Sequence, residues 1–288
     1  RLCGYDVIGN TPFEIDITAA ARFDAPNRLD IRITDPVGNF TWEDNDLCRW
    51  GPNMVPAVHG FGGVTGKVSV RATDAVRIDD VYVENKPSVT DADITVTMEN
   101  SAGKAVSGNL RVKVCEWRNP GAVMFDRTIP ATVPAGGKVF TVKVRAPKAK
   151  HWAIRDPHLY VATASFTASD GSMADTAEKR FGFRYFTVGE KNGDRRFYLN
   201  GRRVFIFAAM TRGFWPATGM NPTAETARRD IDITLRLGYN MMLFHRAIGQ
   251  SEIIDLCDEA GLLVYEEPSG YRCEPQQDDA VKTWRREK

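Results

Sequence analysis

The stretch from Phe197 to Tyr271 constrains the rest of the chain most, because three apolar strand-like runs alternate there with two amphipathic helix patterns. Such alternation marks a parallel sheet, closed into a βα barrel or left open. The first run, Val204, Phe205, Ile206, Phe207, Ala208 and Ala209, is unbroken, as a strand covered on both faces requires. Asn221-Pro222-Thr223 frame the start of the first helix and Gly238 its end, with Ala227, Ile231 and Leu235 four residues apart on one face. A second strand, Tyr239 to His245, leads to Ser251 as the expected N-cap of a helix that carries Ile253, Leu256, Cys257 and Ala260 on its apolar face and closes at Gly261. The third strand, Leu262 to Tyr265, follows at once and runs into Glu266-Glu267-Pro268.

Everything ahead of that unit reads as β structure. Between Leu2 and about Asp79 the runs Phe13 to Ile17 and Arg28 to Ile33 alternate polar with apolar, as does Lys67 to Arg71, which fits a half-exposed antiparallel sheet. From Pro36 to Gly63 the pattern dissolves into a long loop carrying Trp42, Trp50, Pro52, Pro56 and Gly60. Loops of that length are commonly functional or disordered, and the tryptophans favour an ordered one. A new series begins near Ile78 to Glu84 and continues through Ile94 to Met98, Leu110 to Glu116, Val139 to Val144, Tyr160 to Thr167 and Lys179 to Val188. So many short strands without a helix predict an immunoglobulin-like sandwich. The expected organisation is therefore multidomain, β plus α/β, divided at residues 1–79, 80–188 and 189–288.

At 288 residues the chain is long enough for roughly two domains of about 150 residues, or three smaller ones. A net charge of +1 without a lysine or arginine cluster argues against a nucleic-acid groove and an anionic membrane surface. No apolar stretch approaches the length of a membrane span, and no secretion signal is visible after Arg1. The five cysteines form no CxxC pair, so neither a zinc ribbon nor a dense disulfide frame is indicated. Cys257, on the apolar face of a helix pattern, reads as a small core residue.

Several motifs together resemble glycoside hydrolase family 2, which includes β-galactosidases, β-glucuronidases and β-mannosidases. Thr11 to Thr18 with Asn27-Arg28-Leu29, and then Gly62-Gly63-Val64, are similar to the later half and last turn of that family's sugar-binding jelly roll. Trp152 with Asp156-Pro157-His158-Leu159-Tyr160, and Phe181-Gly182-Phe183-Arg184, resemble the end of its immunoglobulin-like domain. Phe197-Tyr198-Leu199-Asn200-Gly201 matches the lead-in to its barrel, while Leu237-Gly238-Tyr239-Asn240 and Leu256 to Val264 look like its second and third βα units. The resemblance implies a partial jelly roll, an immunoglobulin-like sandwich and the first part of a TIM barrel. A complete barrel takes about 250 residues and eight βα units, so the early jelly-roll strands and most of the barrel are expected outside this sequence.

Retaining glycosidases need two carboxyl groups about 5 to 5.5 Å apart. Glu266 and Glu267 cannot be that pair, because successive strand residues point to opposite faces. The resemblance places the catalytic glutamates after later strands, beyond Lys288, so no catalytic residue is expected within the chain. Barrel sites form at the C-terminal ends of strands. There the sugar-binding candidates are Arg212 and Trp215 after the first strand, His245 and Arg246 after the second, and Glu267 after the third.

Each candidate has a structural alternative: Arg212 and Arg246 as neutralisers of the glutamates, His245 as a hydrogen-bonded rim residue, Trp215 as cover for the helix layer, Glu267 as an arginine partner. The sequence departs from the Arg-x-Ser-His-Tyr-Pro pattern of β-galactosidases and β-glucuronidases: Leu243 takes the place of the arginine and Arg246 that of the histidine. A Glu-x-His metal motif is also unmatched beyond Glu267, where Tyr271-Arg272-Cys273 stands. No metal or cofactor is expected.

The resemblance implies a carbohydrate partner, cleaved in exo fashion from terminal β-linked positions. A non-catalytic carbohydrate-binding or structural β-sandwich module is the alternative. An open three-stranded sheet has an unpaired edge and a bare inner face. The region from 189 to 288 is therefore expected to be loosely ordered, paired in a homo-oligomer, or part of a longer polypeptide. A polysaccharide-degrading parent suggests the periplasm or cell exterior by analogy, with the cytoplasm left open.

Overall fold

Alternation of buried and open residues organises the middle of the chain. In the computed structural model, which describes residues 1–6, 12–33, 49–50, 53–54, 64, 66–211, 223–244 and 249–267, seven antiparallel strands form two facing sheets. One sheet has the order β3 (Val76–Asn85), β4 (Asp91–Asn100), β7 (Lys138–Arg145). The other runs β6 (Asn119–Val133), β5 (Val106–Glu116), β8 (Tyr160–Ala168), β9 (Ala174–Phe181). Every second residue of β4, β5 and β8 is buried. Ile78, Ile94, Val96, Leu110, Val112, Ala162 and Phe166 therefore meet between the sheets in one apolar core. This is the expected sandwich.

Three details depart from the sequence reading. The long strand β6 was not anticipated: Pro120, Pro130 and the charged Asp126-Arg127 break its apolar pattern, and as an edge strand exposed for most of its length it tolerates them. The expected run Lys179 to Val188 divides at Gly182 into β9 and β10 (Phe186–Lys191). Strand β3 begins at Val76, ahead of the expected boundary at 79/80.

Residues before Val76 make little regular structure where they are described. A short antiparallel pair, β1 (Arg49–Trp50) with β2 (Asn53–Met54), is present. The alternating segments at 13–17, 28–33 and 67–71 carry no ladder. Arg77 nevertheless reaches Glu14 at 3.3 Å, so this part of the chain meets the sandwich.

After the sandwich, β10, β11 (Asp194–Leu199) and β12 (Arg202–Val204) form an antiparallel meander. The parallel unit follows: β13 (Ala208–Thr211), α1 (Ala224–Arg236), β14 (Met241–Phe244), α2 (Ser251–Ala260), β15 (Leu263–Glu266). Its strands pair in parallel in the order β13-β14-β15.

The first parallel strand corrects the sequence reading. Val204 does not lie beside Met242; it pairs antiparallel with Phe197, and the parallel strand starts only at Ala208, with Ala209 opposite Met242 and Met242 opposite Val264. Asn240 explains the offset. Its side chain accepts from the Phe207 amide at 2.9 Å and donates to the Phe205 carbonyl at 2.6 Å, which takes those backbone groups out of any ladder.

Helix α1 starts as expected, with the Thr223 hydroxyl accepting from the Thr226 amide at 3.1 Å. Helix α2 begins one residue earlier than expected: Gln250 is the N-cap, without a side-chain capping bond to the helix, and Ser251 is already helical. Both turn away through glycines in the left-handed region, Gly238 and Gly261. Among the described residues no helix is long and apolar enough to cross a membrane.

Candidate functional site

The two faces of the parallel sheet have different surroundings. Met242 and Phe244 of β14 pack with Ala227 and Ile231 of α1 and with Ile253, Leu256 and Cys257 of α2, and Val264 lies against the same cluster. That face is the helix layer. On the opposite face Met210, Leu243 and Tyr265 stand in register across the three strands. Met210 and Tyr265 are more than half exposed there. This is the face that would line a barrel interior.

At the C-terminal end of β15 the two glutamates part as strand geometry requires. Glu266 lies opposite Phe244 in the register, and its Oε1 accepts from the Gly249 amide at 2.7 Å, just before α2. It braces the approach to that helix. Glu267 follows with the parity of Leu263 and Tyr265, half-buried. Arg212, Trp215, His245 and Arg246 lie outside the described residues. Of the five candidates the structure therefore places Glu267 alone. Among the described residues no group of three or more His, Cys, Asp or Glu could hold a metal ion.

Cys257 is fully buried in the helix layer, and burial pushes its thiol up to about 12. A thiol so disfavoured as thiolate is a core group and not a nucleophile.

Sequence reasoning did not anticipate how strongly the sandwich grips the helices. Trp152 is wholly buried, and its Nε1 donates to the Asp258 carbonyl of α2 at 2.7 Å. Arg184 stacks on the Trp152 ring at 4.4 Å and binds the Asp258 carboxylate at 2.8 Å. Arg180 reaches Glu259 at 2.6 Å and Asp255 at 2.8 Å. The motif pair Trp152 and Phe181 to Arg184, read as a family mark, is thus physically a joint between domains. Asn200 extends it, donating to the Trp152 carbonyl at 2.9 Å and accepting from the Tyr185 amide at 2.9 Å.

Outside the parallel unit, a shallow cleft of about 560 Å³ lies on the sandwich's outer face, lined in part by Arg111, Lys113, Glu116, Trp117, Thr163 and Glu178. Arg111 is tied to Asp126 at 2.8 Å and Glu178 accepts from Thr163 at 3.1 Å, so much of its polar lining is already paired.

A two-sheet sandwich bolted to the start of a parallel βα sheet defines a multidomain protein of β plus α/β architecture. Residues 76–184 match the family model described as Glycosyl hydrolases family 2. Relatives include beta-galactosidase BgaC of Bifidobacterium adolescentis, 26% identical over 92% of this chain and 25% of its own length. A putative beta-glucuronidase of Formosa agariphila is 23% identical over 92% of this chain and 30% of its own.

Among solved structures, a beta-galacturonidase from Eisenbergiella tayi aligns with a TM-score of 0.59 at 22% identity, covering 67% of this chain and 33% of that one. A Parabacteroides merdae beta-glucuronidase aligns with the same TM-score of 0.59 at 22% identity, over 74% and 26%. The structural likeness carries the fold. The family match rests on residues 76–184, and over nearly all of its length the chain is similar to beta-galactosidases and a putative beta-glucuronidase. The chain spans about a quarter to a third of the length of the curated relatives it matches.

Proposed function

We propose that these residues are the accessory β region and first βα units of a retaining, exo-acting glycoside hydrolase that removes terminal β-linked sugars in the manner of a β-galactosidase. In this reading Arg212, Trp215, His245, Arg246 and Glu267 meet the sugar, and both catalytic carboxylates lie outside residues 1–288. The observation that carries it is Glu267, which follows a parallel strand on the face turned away from the helices, where a barrel presents its ligand groups. Hydrogen bonds from sugar hydroxyls to that carboxylate would orient a ring without moving a proton. The purified chain is expected to give no turnover of aryl β-glycosides; measurable hydrolysis would overturn the division of labour.

A second reading, a carbohydrate-binding or structural β module, is favoured by the sandwich cleft, whose volume suits a small ligand. Calorimetric titration with monosaccharides separates the two. Binding lost in both Trp215→Ala and Glu267→Ala supports the rim, whereas binding that survives both and disappears in Lys113→Ala moves the sugar to the sandwich.

A further inference from the structure

Helix α2 closes on its own backbone through Gly261 and Leu262, whose amides reach the Asp258 and Cys257 carbonyls, but its end carries an uncompensated run of negative charge. Asp255, Asp258 and Glu259 crowd its C-terminal half and its last turn has no basic residue, although the negative end of a helix dipole is stabilised by cations. The missing positive charge and two additional donors come from the sandwich side. Arg180 and Arg184 bind the three carboxylates. The Trp152 indole donates to the Asp258 carbonyl, and the Arg155 amide donates to the Gly261 carbonyl at 3.0 Å. Helix α1 ends on the same loop, because the Arg155 guanidinium donates to the Leu235 carbonyl.

Two further observations show that this loop is held in place and not merely adjacent. Arg155 is a non-glycine residue at φ 62°, a conformation that persists only where its surroundings fix it. Opposite it, a Cβ on Gly261 would stand 2.5 Å from the Arg155 nitrogen, so the approach requires glycine.

We propose that residues 152–155 are a shared external brace on the C-terminal ends of both helices, and that through it the order of the parallel βα unit is conditional on the sandwich. The sandwich is thereby more than a spacer: it sets the position from which Leu262 and Leu263 enter β15. The inference does not depend on what the rim binds.

Hydrogen–deuterium exchange on the 288-residue chain tests it. Trp152→Phe keeps an aromatic ring between Gly182 and Arg184 and deletes only the indole donor. Arg155→Gly deletes the guanidinium while suiting the left-handed backbone. Trp152→Phe is expected to quicken exchange in α2, and Arg155→Gly exchange in the last turn of α1, each by about tenfold, the scale of one lost hydrogen bond at a helix end. Amides of β4, β5 and β8 should exchange as in the parent. Unchanged exchange of α2 in Trp152→Phe together with unchanged exchange of α1 in Arg155→Gly would overturn the proposal. So would equal acceleration of sandwich and helices, which would make these residues ordinary members of one core.

Discussion

At Gly182 the polypeptide has no room for a side chain: an added Cβ would lie 2.6 Å from the Trp152 Cβ and 3.0 Å from its Cγ. The glycine lets the Trp152 amide reach the Phe183 carbonyl at 3.0 Å while the indole lies flush against the chain. Gly182→Ala is expected to destabilise the protein by about 1 to 3 kcal/mol, the cost of overpacking a filled core, read as a lowered midpoint in urea. Cys257 gives a prediction of opposite simplicity. Its folded thiol is raised to about 12 by burial, whereas an unfolded cysteine titrates near 8.5. Below about pH 8.5 both states hold the proton and stability is unaffected. Above it the unfolded chain loses the proton first, so stability should fall by up to about 1.4 kcal/mol per pH unit until the folded thiol also ionises. Cys257→Ala should flatten that alkaline limb in parallel denaturation curves, and native-state alkylation should label exposed Cys3 while sparing Cys257.

At the scale of elements, Asn240 decides where the parallel sheet begins. By holding Phe205 and Phe207 by their backbone it forces a break between the antiparallel β12 and the parallel β13. Asn240→Ala leaves those groups to water or to each other, and a loss of about 1 to 2 kcal/mol is expected. Exchange of the Phe207 amide should rise with it. The apolar run from Val204 to Ala209 reveals none of this, since a continuous hydrophobic stretch is compatible with one strand or two, and only the side-chain amide from a distant position separates them. The helices were legible because their signals are local: Thr223 as cap, Gly238 and Gly261 as stops, Ile231, Ile253 and Leu256 at helical spacing. Strand β6 was hidden because an edge strand with one wet face does not need the apolar pattern that marks its neighbours. Of the rim, parity alone put Glu267 on the face with Leu263 and Tyr265; the engagement of Glu266 with Gly249 joins residues 17 apart in sequence and left no trace in it.

For the whole molecule, the joint between sandwich and helices should govern how the chain unfolds. Arg180, its side chain 17% exposed, forms a close pair with Glu259 at 2.6 Å, lies over the Trp117 ring at 4.5 Å and also holds the Asp255 carbonyl at 3.0 Å. Such an arginine joins β9 to α2 and leaves a poorly solvated carboxylate behind if it is removed. Arg180→Ala alone is therefore expected to cost more than Glu259→Ala, which leaves the arginine its Asp255 contacts. Because the two residues share one network, the double variant should fall short of the sum, with a coupling of about 1 to 2 kcal/mol. A conservative restoration distinguishes charge from shape: Arg180→Lys keeps the cation but loses the planar fork that meets two carboxylates and stacks on the indole, and it should recover only part of the loss. If the sandwich and the βα unit instead melted independently, with no coupling in the cycle and two separate calorimetric transitions, the joint would be a contact without energetic consequence. A single transition that divides in two only when Arg180 is replaced would show that the β domain and the parallel sheet share one stability through this residue.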